Sequence, residues 1–418
     1  IGTIQWVATG YLLALAVVIP LSGWLSERFG ARRIWMVSVT LFGLGSALCG
    51  LATSAEMLIG LRVLQGLGGG MIMPVGMTLL AQSAGPRRMG AVMAVVGVPM
   101  LLGPIAGPVI GGVIVDGASW RWIFLVNVPI AVLALVLAAR VLDRDAGRAD
   151  AGRLDWVGAL LLSPGLAAVV LGLAETQSHG GVTAPGAYVP MLAGAALVAL
   201  FVRHAWRAER PLIDVRLFRS SAFGAAAATT FMVGAALFGG MLLLPLYFQL
   251  ARGETALSAG LLLAPQGVGA ALAMPFAGRL TDRLGGGRIA LAGSAILLLG
   301  TLPLAAVGSD TPFALIVAAL VVRGVGVGAT MMPAMAAAYA VLQPSEVPRA
   351  TSALNALQRV GGSVGTALLA VVLERQVQAG TPSGTAFAHS FVWAVGLVVL
   401  AVVPTLVLAR EERRAATT

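Results

Sequence analysis

Arg62 is the charge in this sequence that most needs a reason. It stands in the run Leu61-Arg62-Val63-Leu64-Gln65-Gly66, a few turns inside an apolar segment from Met57 to Ala81. A guanidinium at membrane depth costs about 2.5–3.5 kcal/mol even on lenient insertion scales, so an intramembrane charge is a functional candidate by default. An Arg does not release its proton near neutral pH. Its chemistry is electrostatic: it lowers the pKa of a neighbouring carboxylate or answers that carboxylate's charge state. The plainer alternative is an Arg that snorkels outward or pairs structurally. Arg323 and Arg359 sit inside two later apolar segments, and for them the structural and functional readings stand level.

A second set of charges comes in matched pairs. Gly23 to Arg33 reads GWLSERFGARR, and Gly278 to Arg288 reads GRLTDRLGGGR. One interval of 255 residues relates Gly23, Glu27, Arg28, Gly30 and Arg33 to Gly278, Asp282, Arg283, Gly285 and Arg288. Self-similarity at that distance means two structurally related halves, as in repeat-built membrane transporters. Basic residues alone would suffice to orient a solvated loop. The matched acids ask for more, namely a carboxylate that pairs with Arg and lies near a helix N-terminus, whose dipole favours an anion.

The elements that position these charges follow from composition. With 418 residues, 58% hydrophobic and 11% charged, the chain is a membrane protein. Thirteen apolar segments are long enough, or nearly so, to span as helices: 7–25, 34–51, 57–81, 89–113, 122–141, 156–174, 187–202, 223–248, 258–277, 289–307, 313–342, 350–373 and 387–408. The expected fold class is therefore an all-α polytopic membrane protein. There is no Lys, and the basic residues gather in alternate loops; only Arg121, Arg252 and Arg375 fall in the opposite ones. By the positive-inside rule the Arg-rich face and the C-terminus are cytoplasmic. The net charge of +10 therefore reports topology and not a nucleic-acid surface. Cys49 is the sole cysteine, and the three histidines have no ligand spacing, so neither a disulfide nor a metal is expected. No enzyme constellation and no cofactor motif stand out.

Both basic turns resemble the loop motif of the major facilitator superfamily, with Glu27 where Asp is usual. WRWIFLVNVPI from Trp120, RLDWVGALLL from Arg153 and RPLIDVRLF from Arg210 extend the resemblance to the fourteen-helix drug:proton antiporter branch. It implies two six-helix bundles joined by two extra central helices: an N-terminal bundle over 1–142, linking helices over 143–220 and a C-terminal bundle over 221–418. One helix precedes the first basic turn where two precede the second, so a further helix before Ile1, bearing a carboxylate near Arg62, is expected. The resemblance also implies that the basic turns latch the cytoplasmic ends together. It assigns Arg62, Gln65 and Gly66 to proton coupling, as parts of a fourth-helix motif. Gly103, Gly107, Pro108, Gly111 and Gly112 match a motif associated with exporters, and their spacing makes one smooth helix face beside two bend-permitting Gly-Pro steps.

No span has a carboxylate at its middle. What remains for a substrate is an apolar, adaptable lining, for which Met71, Met331 and Tyr247 are candidates, with Gln266, Asn355, Gln358, Arg323 and Arg359 as polar contacts. Lipid- or helix-facing packing is the competing reading for each. The expectation is a transporter that exports small amphipathic drugs or antibiotics across the bacterial inner membrane in exchange for protons. Export of an endogenous lipid or metabolite is the nearest alternative. A non-transporting receptor or anchor would leave the repeated turns without a purpose.

Overall fold

In hydrocarbon a backbone N–H or C=O finds no water, and a helix is the open structure that satisfies all of them within one segment. The computed structural model describes residues 2–84, 119–143, 152–178 and 184–415, with 91, 92, 96, 97, 103, 107, 114, 117 and 147 individually. Among these residues there are helices and no strand.

The helices in order are α1 (Gly2–Val18), α2 (Leu21–Phe29), α3 (Ala31–Gly50), α4 (Ala55–Ala84), α5 (Trp122–Leu125), α6 (Asn127–Val141) and α7 (Trp156–Ser178). They continue with α8 (Pro185–Arg207), α9 (Ser221–Leu246), α10 (Ala256–Leu284), α11 (Gly286–Thr301), α12 (Phe313–Ala340), α13 (Val347–Gln378) and α14 (Ser383–Ala415). Eleven continuous helical stretches among the described residues are long and apolar enough to cross a membrane, and the bent pair α1–α2 makes a twelfth. Each coincides with one of the expected segments; the remaining one, 89–113, falls mostly outside the described residues.

The chain departs from simple spans where its sequence removes a donor. Pro20 has no N–H, and α1 and α2 meet there at 55°. At the break Ser22 donates twice to the Ile19 carbonyl, through Oγ at 2.6 Å and through its backbone N–H at 3.2 Å. The basic turns, expected as loops, are mostly helical. The chain leaves helical geometry at a single glycine in each, Gly30 with φ 88° and ψ 137° and Gly285 with φ 93° and ψ 146°. A side chain is strained in that region of backbone space, so both copies need glycine where they have it. The two amides donate to Ser26 and Thr281, again 255 residues apart.

By contacts the chain forms two units that are not contiguous in sequence. The first holds Ile1–Ser83, Val113–Leu217 and Gln343–Ala356; the second holds Ala84–Gly112, Phe218–Leu342 and Leu357–Thr418. In the first, Val18, Ala31, Ile34, Met71 and Val75 pack together between α1, α3 and α4. Also in the first, α7 and α8 pack closely: a Cβ on Gly194 would stand 2.6 Å from the Gly165 carbonyl. The second has a core at the end of α9, where Tyr247 and Phe248 of the π-helical turn Tyr247–Ala251 meet Phe387 and Phe391 of α14.

Candidate functional site

In the first basic turn Glu27 sits on the last turn of α2, facing the start of α13. Arg349 donates to it through Nε, 3.0 and 3.2 Å from the two carboxylate oxygens, and through Nη2 at 2.9 Å. Both side chains are largely withdrawn from solvent, 11% exposed for Glu27 and 15% for Arg349. A bidentate pair of this kind is charge-assisted and directional. Removing one partner takes from the other its counter-charge. Gly23 makes the approach possible, because a Cβ there would stand 2.9 Å from the Pro348 carbonyl. One turn away Ser22 and Ser352 share a hydrogen bond of 2.8 Å. The pair joins chemistry from the first sequence half to a segment, 343–356, that the chain order assigns to the second.

The acid of the second basic turn also reaches a backbone group. Asp282 Oδ2 accepts from the backbone N–H of Ala91, near the beginning of the fourth apolar segment, at 3.1 Å. The basic turn's own helix start is also bound. Glu412 in the last turns of α14 accepts from Gly287 N at 2.8 Å, capping α11 with a carboxylate where the helix dipole favours one. At the matched place in the first half, Arg32 donates to the Ala139 carbonyl at the end of α6, at 3.1 Å. Arg28, Arg283 and Arg288 flank these contacts, and Arg33 is exposed beside an apolar groove along α3 lined by Met36, Val37, Thr40, Leu41 and Leu44.

Arg62 and Gln65 act together. Arg62 Nη1 donates to Gln65 Oε1 at 2.7 Å and Nε to the Val7 carbonyl of α1 at 3.2 Å. The guanidinium lies 4.0 Å from the centre of the Tyr11 ring and 5.6 Å from that of Phe124. Gln65 is buried and donates to Ser46 of α3, so one carboxamide ties α3 to the charge on α4. Gly66 lets α4 close on α1: a Cβ there would stand 2.7 Å from the Tyr11 carbonyl. Arg323 has the corresponding place on α12 but is 2% exposed. It donates to Gln266 Oε1 of α10 and, at 2.9 Å, to the Ala236 carbonyl of α9. Gln266 stands 255 residues after Tyr11, so in both halves the arginine meets the same repeat position of the preceding helix pair.

The other candidates are dispersed. Gln358 donates to the Met331 sulfur at 3.7 Å, and both are buried. Asn355 donates to the carbonyl of Thr351, one turn back on α13. Met71 belongs to the packing between α1, α3 and α4. Tyr247 is fully buried, with its hydroxyl donating to the Gly308 carbonyl at 2.8 Å. Arg359 is exposed on α13. Gly103 and Gly107 are helical and exposed; Pro108, Gly111 and Gly112 lie outside the described residues. Among the described residues no group of His, Cys, Asp and Glu is arranged to hold a metal.

Three partners went unnoticed in the sequence. Arg349 reads there as one more topology charge, although it follows Arg88 by 261 residues, the interval that separates Arg62 from Arg323. Pro211, whose carbonyl accepts from Arg349 Nη1, offers a backbone group that no sequence pattern advertises. Asp155, whose Oδ2 accepts from the N–H of Leu212, looks in sequence like an acid at a helix end, and an Asp just before α7 is a capping signal.

Repeated helical turns, helix spans and intramembrane arginines define a polytopic transporter built from two related halves. The chain belongs to the Major Facilitator Superfamily, whose family model matches residues 1–366. It is thus a multi-pass membrane transporter and not an enzyme. It is 45% identical over 378 residues to the multidrug resistance protein B homolog of Mycobacterium tuberculosis, covering 90% of this chain and 70% of that protein. It is 30% identical over 381 residues to the drug efflux pump JefA of the same species, covering 91% and 75%. A third relative, the lincomycin resistance protein LmrB of Listeria innocua, is 29% identical over 372 residues, covering 89% and 79%. The fold is shared with the human organic anion transporter MFSD10, at TM-score 0.64 and 15% identity over 94% of this chain and 83% of that one. It is likewise shared with the proton:xylose symporter XylE, at TM-score 0.62 and 15% identity over 95% and 84%.

Proposed function

We propose that this protein exports small amphipathic drugs or antibiotics across the bacterial inner membrane by alternating access, driven by proton entry. The observation that carries the reading is the 45% identity to a protein named a multidrug resistance protein B homolog, over nearly the whole chain. Positive-inside topology puts the basic turns and the C-terminus in the cytoplasm. In this reading an N-terminal bundle over 1–142 and a C-terminal bundle over 221–418, joined by linking helices over 143–220, are the two related halves that alternate around a central site.

Within that reading the basic turns are the cytoplasmic latch. Glu27 and Arg349 fall in different bundles of that sequence division, and in this reading their bidentate pair breaks when the cytoplasmic side opens. Arg62 is the coupling charge. It is held by neutral groups, Gln65, the Val7 carbonyl and the Tyr11 ring, and so is poised to respond to a titrating carboxylate. Gln358 and Met331 offer a polar and polarisable contact for a lipophilic substrate.

The test is flux in proteoliposomes. With an imposed pH gradient, purified protein should move a lipophilic cationic dye against its own gradient, and collapse of the pH gradient should stop it. Dye movement that is indifferent to the pH gradient would remove proton coupling. Failure across a panel of lipophilic compounds would remove drug export.

A further inference from the structure

Glu27 occupies only part of Arg349. The remaining nitrogen, Nη1, donates to the carbonyl of Pro211 at 3.0 Å. Pro211 lies in the segment that follows the second linking helix α8, and the other end of the same peptide group is also bound. The N–H of Leu212 donates to Asp155 Oδ2 at 3.1 Å. A trans peptide is planar, with its C=O and N–H on opposite edges. One rigid group is therefore gripped from one side by the latch arginine and from the other by a carboxylate of the linking region. Each of the two bonds polarises the peptide in the sense that strengthens the other.

Asp155 is built for this place. It is 9% exposed on its side chain and stands at the head of α7. Its Oδ1 accepts from Gly158 N at 2.8 Å, an N-terminal cap, and from His204 Nε2 of α8 at 2.8 Å. The start of one linking helix, the end of the other and the 211–212 peptide thus converge on one carboxylate. Leu212 and Ile213 are buried beside it, which fixes the peptide's position. The loop before α7 touches the basic turn directly as well, through Trp24 Nε1 and the Gly152 carbonyl at 3.4 Å. All of these residues belong to one unit.

We infer that Asp155 is a positioning residue of the latch: through the Pro211–Leu212 peptide, the linking helices hold Arg349 in register for Glu27. The two central helices then do more than connect the bundles, since displacing them loosens the cytoplasmic closure. The inference rests on the latch reading of Glu27 and Arg349.

The experiment is a double-mutant cycle read by labelling. In inside-out vesicles, Ser26→Cys in a Cys49→Ala background places a buried thiol one residue before Glu27. Its reaction rate with an impermeant maleimide reports opening of the latch. Glu27→Gln should raise the rate. Asp155→Ala should raise it by about ten-fold, the shift expected for one charge-assisted hydrogen bond. Asp155→Ala added to Glu27→Gln should raise it no further. Asp155→Asn keeps an acceptor for Leu212 N–H and should recover most of the closed population; if the alanine variant does not accumulate, the asparagine variant is read through the same cycle. A rise with Glu27→Gln but none with Asp155→Ala overturns the positioning role and leaves the latch. Multiplicative effects overturn it too, because Asp155 would then act independently of Glu27. No rise with Glu27→Gln removes the latch and this inference together.

Discussion

Arg62 and Arg323 are one residue type at related places in the two halves, and their neighbours give them different work. Arg323 is enclosed and bonded to two other helices, through Gln266 on α10 and the Ala236 carbonyl on α9. Arg323→Ala leaves the buried Gln266 carboxamide oxygen without this donor and should lower unfolding stability by about 2 kcal/mol, a change visible in thermal unfolding in detergent. Arg323→Lys should restore only part, since a single ammonium does not reproduce the planar fork. Arg62 is partly exposed, bonded to its own helix and to α1. Arg62→Ala should therefore leave folded protein in the membrane yet abolish proton-driven efflux, with Arg62→Lys retaining a fraction. Normal uphill transport by Arg62→Ala would return the residue to a structural role.

At the scale of elements, the basic turn is a helix–glycine–helix joint and not a loop. Gly30 ends α2 and begins α3, and Gly285 does the same between α10 and α11, with nearly equal backbone angles. That geometry is open to glycine and strained for other residues by about 1–3 kcal/mol. Gly30→Ala and Gly285→Ala should each lose stability of that order in thermal unfolding, whereas Gly60→Ala, which meets open space within α4, should lose none. Equal stability for all three variants would mean that the joint relaxes freely. The helix-rich sequence on both sides also explains why Glu27 and Asp282 are held in place at all: a carboxylate on a helix has few orientations to lose.

At the scale of the molecule, the contact units exchange material between sequence halves. Residues 84–112 group with the second half and 343–356 with the first. Each basic-turn acid finds its partner in such an exchanged segment, Glu27 with Arg349 and Asp282 with Ala91. Asp282→Asn should accordingly weaken the cytoplasmic closure and shift the population away from the outward-open state. Labelling of cysteines engineered on the two sides should rise inside and fall outside; unchanged labelling on both would leave the second turn as a topology signal. Glu27→Gln should do the same, because it takes the negative charge from a bidentate pair that is largely withdrawn from solvent.

Hydropathy by itself determined the helices, because a membrane leaves a chain of this composition no other way to satisfy its backbone. The repeat of GWLSERFGARR as GRLTDRLGGGR determined that the halves are related and that Gly30 and Gly285 matter. It also marked Glu27 and Asp282 as acids needing partners, while Arg62, Gln65 and Gly66 stood together only through the resemblance to a family motif. Only the tertiary structure decided who the partners are. Arg349 lies 322 residues from Glu27 and looks like any loop arginine until α13 is laid against α2. The Pro211 carbonyl and the Leu212 amide have no side-chain signature, because backbone groups are the same in every residue. Tyr247, equally plausible in sequence as a cavity residue, is enclosed by Phe248, Phe387 and Phe391. Sequence gives each residue its chemistry and its helix face; which distant face it meets is set by how helices pack, and that is written in no single segment.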